Sequence, residues 1–186
     1  MKLVLRGRLD RNIAIAFALA AAWFFLVLIS PYLVQTGQLT DLSGRYIFMD
    51  NQAKLEGVNP LASVVYTIGD FNCHQLNDRS YFLNDNQLPF CARDVGIFAG
   101  LSAGALISLL FIFEMRWTWL LVGLIPMGFD GAVQALTSYD STNATRFATG
   151  ILAGCAVAIF ICMKMAMPDR SVDEIEKLTS ETNRQG

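Results

Sequence analysis

An apolar run from residue 13 to residue 34 constrains the fold of this chain more than any other feature of its sequence. The run contains no charged residue, and about 20 consecutive apolar residues are enough to cross the hydrocarbon core of a bilayer as a helix. A basic segment precedes it, as in a secretory signal peptide, but the apolar core of a signal peptide is shorter, at roughly 7–15 residues. The run therefore predicts an uncleaved membrane-spanning helix.

Three further apolar runs repeat this pattern, at about residues 95–115, 117–136 and 147–167. None shows the alternation of apolar and polar residues that is typical of membrane-barrel strands. Charged residues make up only 16% of the chain, below the roughly 25% of soluble domains, and the mean hydropathy is +0.42. We predict an all-α multi-pass membrane protein, with a membrane domain over residues 1–168 and a polar tail over residues 169–186.

A shorter apolar stretch at residues 61–68 lies within the polar segment 35–94 that separates the first two spans. It is too short to cross a bilayer. Asn59 and Pro60 precede it, and proline is favoured at the first position of a helix. We predict a short interfacial or re-entrant helix at this point.

The distribution of basic residues orients the spans, because loops rich in lysine and arginine stay in the cytoplasm. With a cytoplasmic N-terminus, nine basic residues face inwards: Lys2, Arg6, Arg8, Arg11, Arg116, Lys164, Arg170, Lys177 and Arg184. Five then face outwards: Arg45, Lys54, Arg79, Arg93 and Arg146. We therefore expect a protein of the cell membrane with both termini in the cytoplasm and an extracytoplasmic loop over residues 35–94.

Net charge and hydropathy together limit the partners of the chain. Its formal net charge is −2 and no basic stripe is present, which argues against a nucleic-acid-binding surface. The expected partners are membrane lipids, further copies of the chain, or a larger membrane complex.

The densest polar chemistry precedes the second span and contains Cys73, the only histidine of the chain, His74, and Cys91. Two thiolates and an imidazole can bind zinc or another transition metal, and Asp94 could complete the ligand set, although the spacing matches no known zinc motif. On the oxidising side of the membrane, a Cys73–Cys91 disulfide is the alternative. A free thiol activated by His74 is the third interpretation. As a disulfide or as shared metal ligands, the two cysteines should lie close together.

Asp130 and Gln134 lie one helical turn apart inside the third predicted span. A carboxylate at bilayer depth costs about 2.5–3.5 kcal/mol unless it is paired, so it indicates either a functional site or an ion pair between helices. We predict that Asp130 faces the helix bundle and pairs with Arg146 or, as the rival partner, with Arg93.

Small and capping residues predict how the spans begin and pack. Gly96, Gly100 and Gly104 recur every four residues along the second span, which lets another helix approach closely. Asn12 and Asn143 are candidate N-caps of the first and fourth spans. Pro168 is expected to end the fourth span.

Several short motifs occur together between Gly69 and Gly154. They are C-H-Q at 73–75, R-S at 79–80, Q-L-P-x-C-A-R at 87–93, G-I-x-x-G at 96–100, P-M-x-x-D-G-x-x-Q at 126–134 and S-T-N-x-x-R-x-x-T-G at 141–150. In combination they resemble a family of small predicted integral membrane proteins known as domain of unknown function number 2085. The resemblance implies a multi-pass membrane fold and supplies no reaction. Some members of that family have a cysteine at the position of Asp94.

These observations predict a polar site at the outer face of the membrane. The candidate catalytic residues are Cys73, His74, Cys91 and Asp130, and the candidate metal ligands are Cys73, His74 and Cys91. The candidate substrate-binding residues are Gln75, Arg79, Gln87, Arg93, Gln134, Asn143 and Arg146.

Such a site would suit a metal- or thiol-dependent enzyme that acts on a lipid-borne or membrane-adjacent substrate. One alternative is an accessory or structural membrane subunit held together by the Cys73–Cys91 disulfide. A small oligomeric transporter is the second alternative, although four helices are few for a pore and no inverted repeat is evident.

Overall fold

The computed structural model describes residues 4–7, 9–42, 44–45, 47–112 and 116–182, with side chains from residue 5 to residue 166. The helices are α1 (Arg11–Ile29), α2 (Pro60–Asn72), α3 (Ala92–Leu110), α4 (Trp117–Leu136) and α5 (Asn143–Thr182). The strands are β1 (Val4–Leu5), β2 (Ser80–Leu83), β3 (Asn86–Cys91) and β4 (Phe111–Ile112).

Four of the described helices are long and apolar enough to cross a membrane, which confirms the predicted spans. The apolar lengths are Arg11–Leu33, Ala92–Leu110, Trp117–Leu136 and Asn143–Ala166. In the first of these, α1 continues into a 3₁₀ turn at Ser30–Leu33 that contains Pro31. Of the predicted inner turn between the second and third spans, residues 113–115, including Glu114, lie outside the described residues.

Both predicted N-caps are wrong by one or two positions. The Asp10 carboxylate, rather than Asn12, caps α1, because its Oδ1 accepts the backbone N–H groups of Asn12 at 2.9 Å and Ile13 at 3.2 Å. A negative charge also suits the positive end of a helix dipole. At α5 the hydroxyl of Thr142 accepts the N–H of Thr145 at 3.2 Å, and Asn143 is the first helical residue.

The last helix also continues past Pro168, where the sequence predicts its end. Proline removes one backbone hydrogen bond and bends a helix, but the flanking residues can keep their helical dihedral angles. The apolar part of α5 and the polar segment after it therefore form one continuous helix as far as Thr182.

Helices α3 and α5 lie side by side and form the most extensive helix pair of the bundle. Glycines make this approach possible: a Cβ atom at Gly96, Gly100 or Gly104 would lie 2.3–2.5 Å from a backbone oxygen of α5. Gly150 and Gly154 do the same on the α5 side, at 2.4 Å and 2.2 Å from oxygens of α3. The structure thus confirms the predicted close packing along the glycine face of the second span.

The other two spans flank this central pair, α1 against α3 and α4 against α5. All twenty residues of α4 are described, and Asp130 is the one that is buried. Because the remaining side chains of α4 are exposed or half-buried and mostly apolar, this helix suits a position against lipid.

The segment between α1 and α3, residues 34–91, folds into a compact cap over one end of the bundle. Its core combines α2, through Val65 and Tyr66, with Leu88 and Phe90 of β3. The predicted short helix is therefore present, as α2, and one of its faces is buried in the cap.

A β-hairpin inside the cap was not predicted from the sequence. Strands β2 and β3 pair antiparallel, and the turn residues Asn84 and Asp85 both adopt positive φ, at 53° and 56°. Two positive φ values are required by the tight turn that joins twisted strands, and Asn and Asp tolerate them. The first five residues of β3 are all buried, so the strand lacks the alternating pattern by which a strand is recognised.

We expect that adding one methyl group at the α3–α5 contact destabilises the protein. In Gly100→Ala the new Cβ would lie 2.3 Å from the carbonyl oxygen of Ile151, which forces the helices apart. Such overpacking typically lowers the free energy of unfolding by about 1–3 kcal/mol.

Gly128→Ala in α4 is the matched control, because nothing lies within 4 Å of its Cβ position. The control should be neutral or slightly stabilising, since alanine favours helix over glycine by roughly 0.5–1 kcal/mol. Both variants can be compared by thermal unfolding in detergent. Equal melting temperatures for the two variants would show that the helices are not held this closely.

Candidate functional site

A cavity of about 450 Å³ lies where the cap meets the ends of α3, α4 and α5. Its walls carry most of the residues that the sequence singles out, together with Asn72 and Leu76. The lining residues are Asn72, Cys73, His74, Gln75, Leu76, Arg79, Cys91, Arg93, Asp94, Gln134 and Arg146. The structure therefore brings residues from four separate stretches of the chain to one concave surface.

Cys73, Cys91 and Asp94 form the chemical centre of this cavity. Cys73 follows the last residue of α2, Cys91 caps the N-terminus of α3, and Asp94 lies in the first turn of α3. One ligand atom from each lies within 4.8 Å of the other two. The Cys91 thiol lies 3.1 Å from Oδ2 of Asp94, and the Cys91 N–H donates to the Cys73 sulfur at 3.4 Å. The predicted proximity of the two cysteines is confirmed.

The thiols of Cys73 and Cys91 differ in the direction of their pKa shifts. All four cysteines of the chain are described, and none of them forms a disulfide in the structure. A hydrogen bond shared with Cys91, and then burial, raise the pKa of the Cys73 thiol. The same hydrogen bond lowers the pKa of Cys91 against the opposing effects of burial and of Asp94. A thiolate therefore forms first on Cys91, whose position at a helix N-terminus favours negative charge.

His74 lines the cavity but lies outside the group of close ligand atoms. Its side chain is exposed, and its backbone oxygen accepts the N–H of Gly44 at 3.0 Å. The potential metal-ligand atoms that the structure brings together are therefore those of Cys73, Cys91 and Asp94. The sequence predicts His74, with Cys73 and Cys91, as a metal ligand. His74 nevertheless lies on the wall of the same cavity.

Gln75 and Gln87 hold the cap together through buried amides. Gln87 lies outside the cavity lining. Its side-chain amide accepts the N–H of Leu42 and donates to the backbone oxygens of Leu42 and, at 2.6 Å, of Gln75. Gln75 donates to the oxygen of Pro89 at 2.7 Å. Buried amides that are satisfied in this way fix the backbone around them, here the loop that carries Cys73.

Further buried polar residues, for which the sequence provides no signal, also hold the cap together. Asp70 accepts hydrogen bonds from the backbone and side chain of Asn51, at 2.9 Å and 2.7 Å. Asn86 donates to the oxygens of Pro31 and Gln35, both at 3.0 Å. The sequence offers little to identify them, because asparagine and aspartate are common in exposed loops too.

Asp130 is buried, with 6% of its side chain exposed, and forms an ion pair of 2.5 Å with Arg93. The prediction that it faces the bundle and pairs with an arginine is confirmed, and the rival partner is the one observed. Gly131 lies under this contact, because its Cβ position is 3.8 Å from Nη1 of Arg93. Asp130 thereby fixes the side chain of an arginine that lines the cavity.

Arg146 has a different partner, Asp140, in the loop between α4 and α5. Its Nη2 donates to Oδ1 of Asp140 at 2.6 Å, and its Nη1 to Asn143 at 3.2 Å. Asn143 in turn donates to the oxygen of Ser80 at 3.2 Å. Asn143 therefore joins α5 to the hairpin and contacts Arg146, but it does not itself line the cavity.

A second cavity of about 300 Å³ adjoins the first and shares Asn72 and Asp94 with it. Its other lining residues are Trp23, Ile68, Phe90 and Phe98, and the three aromatic rings pack edge to face. The polar cavity thus continues into an apolar one that is bounded by the first two spans.

We expect Asp130→Asn to lower stability, because it leaves the Arg93 guanidinium without its acidic partner. Because Arg93 is about a quarter exposed (25%), the loss should be smaller than the roughly 3–5 kcal/mol of breaking a fully buried pair, at about 1–3 kcal/mol. The double variant Arg93→Gln with Asp130→Asn should lose less than the sum of the two single variants. Additive losses in a double-mutant unfolding cycle would show that the two side chains do not interact.

Comparisons with known proteins agree with the membrane architecture. Residues 73–160 match the family described as "Predicted membrane protein (DUF2085)". An uncharacterized protein of Methanocaldococcus jannaschii is 35% identical over 102 residues, which is 52% of this chain and 65% of that protein, slightly less than two thirds of its length. An uncharacterized protein of Methanothermobacter thermautotrophicus is 30% identical over 90 residues, 47% of this chain and 81% of that protein. No solved structure matches the chain. The matched segment contains Cys73 and Cys91, the three cavity-lining arginines, the second and third spans and most of the fourth. On the evidence of this match and of the relatives, the chain belongs to the DUF2085 family of predicted membrane proteins.

Proposed function

We propose that this protein is a metal-dependent membrane enzyme that acts on an anionic, lipid-borne substrate. The observation that carries the proposal is the convergence of Cys73, Cys91 and Asp94 at the wall of a large cavity. The chemistry would take place where the cap meets the bundle.

The three donors suit zinc. Ligand atoms that each lie about 2.0–2.3 Å from one zinc ion are at most about 4.6 Å apart, close to the 4.8 Å limit within which these atoms lie. Three protein ligands leave the fourth tetrahedral position open for water or substrate, as in catalytic rather than structural zinc sites. The depressed pKa of Cys91 also favours metal binding, because a thiol must lose its proton to become a ligand.

The surroundings of this centre suit an amphipathic substrate. Arg79, Arg93 and Arg146 line the polar cavity, and arginine binds phosphate and carboxylate groups through paired N–H donors. The adjoining aromatic cavity would hold part of an apolar chain. A lipid whose head group enters the first cavity and whose tail enters the second would contact both.

Ester hydrolysis is a reaction that this set of residues can support. Cys73, Cys91 and Asp94 would hold the metal, which would supply Lewis-acid activation of water and of the ester; hydrolysis would break the bond between the ester carbon or phosphorus and the alcohol oxygen. His74, on the same cavity wall, would take the proton of the water and return it to the leaving alcohol oxygen.

Thiol–disulfide chemistry is the second candidate function. It is favoured by the unequal pKa values of Cys73 and Cys91, because a thiolate beside a second thiol is the reactive form of a redox pair. The two candidates differ in whether the pair holds a metal.

Metal content of the purified protein tests the proposal. We expect about one zinc per chain after expression with zinc, and loss of nearly all of it in Cys73→Ser and in Cys91→Ser. Cys155→Ala, a cysteine of the fourth span, is the matched control and should keep its metal. A protein without metal whose Cys73 and Cys91 interconvert between thiol and disulfide would replace the first candidate with the second.

The proposed orientation places the cap and its cavity outside the cell. A cysteine introduced at the exposed Glu56 of the cap should react with a membrane-impermeant maleimide in intact cells, whereas one at Gln185 should react only after lysis. Labelling at position 185 in intact cells, without labelling at position 56, would reverse the topology.

A further inference from the structure

Three side chains from the wall of the polar cavity converge on a single carboxylate oxygen, Oδ1 of Asp140, two through hydrogen bonds and one through an ion pair. Arg146 donates to it through Nη2 at 2.6 Å, and Nη2 of Arg79 lies 3.4 Å away. The side-chain amide of Gln134 donates to the same oxygen. Arg79, Gln134 and Arg146 all line the cavity, whereas Asp140 does not.

The donors and the acceptor differ in how firmly they are held. The Arg146 side chain is only 3% exposed, whereas 55% of the Asp140 side chain is exposed. Asp140 lies in the loop between α4 and α5, while Gln134 and Arg146 lie on those helices. The structure therefore combines one buried donor, Arg146, with an acceptor that lies at the surface.

The donors also retain binding capacity that Asp140 does not use. Nε of Arg79 is buried and makes no hydrogen bond in the described part of the chain, although Oδ2 of Asp78 lies 3.7 Å from it. A phosphate has more acceptor oxygens than one carboxylate contact employs, and it matches the fork of N–H groups on a guanidinium.

From this geometry we propose that Arg79, Gln134 and Arg146 form a subsite for a phosphate group, which Asp140 occupies when no ligand is bound. A ligand phosphate entering from the cavity would take the place of the Asp140 carboxylate, which would turn towards solvent. Asp140 is then a tethered competitor that lowers the affinity of the subsite. Because the subsite would hold the anionic group of the substrate, this inference deepens the proposed function but does not depend on a bound metal.

The effect of Asp140 on phosphate affinity depends on the fraction of molecules in which its carboxylate has left the subsite. When only a fraction of molecules has an open subsite, the apparent dissociation constant is the intrinsic constant divided by that fraction. Asp140→Asn removes the charge that closes the subsite and keeps the size of the side chain. We expect this variant to bind phosphate about tenfold more tightly, which corresponds to an open fraction of about one tenth in the original protein.

The experiment uses the full chain in nanodiscs of phosphatidylcholine and measures binding of inorganic phosphate by calorimetry. Asp140→Asn should bind about tenfold more tightly, and Asp85→Asn, an exposed acid at the hairpin turn, should leave the affinity unchanged. Arg79→Gln should weaken binding at least tenfold, in the original chain and in the Asp140→Asn background. Arg79 is the better arginine to change, because its side chain is 37% exposed and its loss threatens folding less than loss of Arg146.

A second arm identifies the source of the phosphate. The same variants are tested for binding to vesicles of phosphatidylcholine with and without a phosphate-monoester lipid, phosphatidic acid. Tighter binding of Asp140→Asn to the phosphatidic acid vesicles assigns the subsite to a lipid head group, and a response to inorganic phosphate alone assigns it to a free anion. Both results support the subsite.

The inference is overturned if Asp140→Asn binds neither form of phosphate more tightly, or if Arg79→Gln has no effect in that background. Thermal unfolding with added phosphate provides an independent measure, because a ligand that binds only the folded state raises the melting temperature. Zinc analysis of the same samples separates the two proposals: phosphate binding in a protein without metal would refute the metal-dependent reaction and leave the subsite intact.

Discussion

The close packing of α3 against α5 is the contact on which the arrangement of the site depends. Glycines allow backbone oxygens of each helix to lie against the other, so the register of the pair is fixed by steric fit along several turns. The first turn of α3 carries Cys91, Arg93 and Asp94, and the first turn of α5 carries Arg146. Because the two helices lie in parallel, these groups come to the same end of the bundle.

The cap supplies the remaining half of the site, and buried amides hold it in place. Cys73 and His74 lie in a loop after α2, where a flexible segment would leave the two cysteines at no fixed distance. Gln75 and Gln87 tie this loop to the hairpin and to the start of the cap. Each buried amide must find partners to offset its desolvation, so these residues specify one conformation of the loop.

The arginines of the site differ in whether their acidic partners are buried or exposed. Arg93 has a buried partner in Asp130 of α4. The carboxylate of Asp130 would be expensive to bury without a counter-ion. Arg79 and Arg146 share an exposed partner, Asp140, and Arg79 also lies 3.7 Å from the exposed carboxylate of Asp78. The Arg93–Asp130 pair fixes the position of an arginine, whereas the Asp140 contacts are the ones that we propose a ligand anion replaces. The same residue type therefore serves structure at one side of the cavity and is suited to ligand binding at the other.

The sequence by itself determined the spans and the need of Asp130 for a cationic partner, because length, hydropathy and the cost of a charge in lipid are local properties. It also placed Cys73 and Cys91 at one site. Only the tertiary structure decided that Arg93 is the partner of Asp130, since Arg146 is held by Asp140. Tertiary packing also produced the hairpin, whose strand β3 is buried over five consecutive residues and so lacks an alternating pattern. It also brought Asp94, rather than His74, into the close group with Cys73 and Cys91. Such choices depend on which side chains meet across elements, and spacing along a chain does not contain that information.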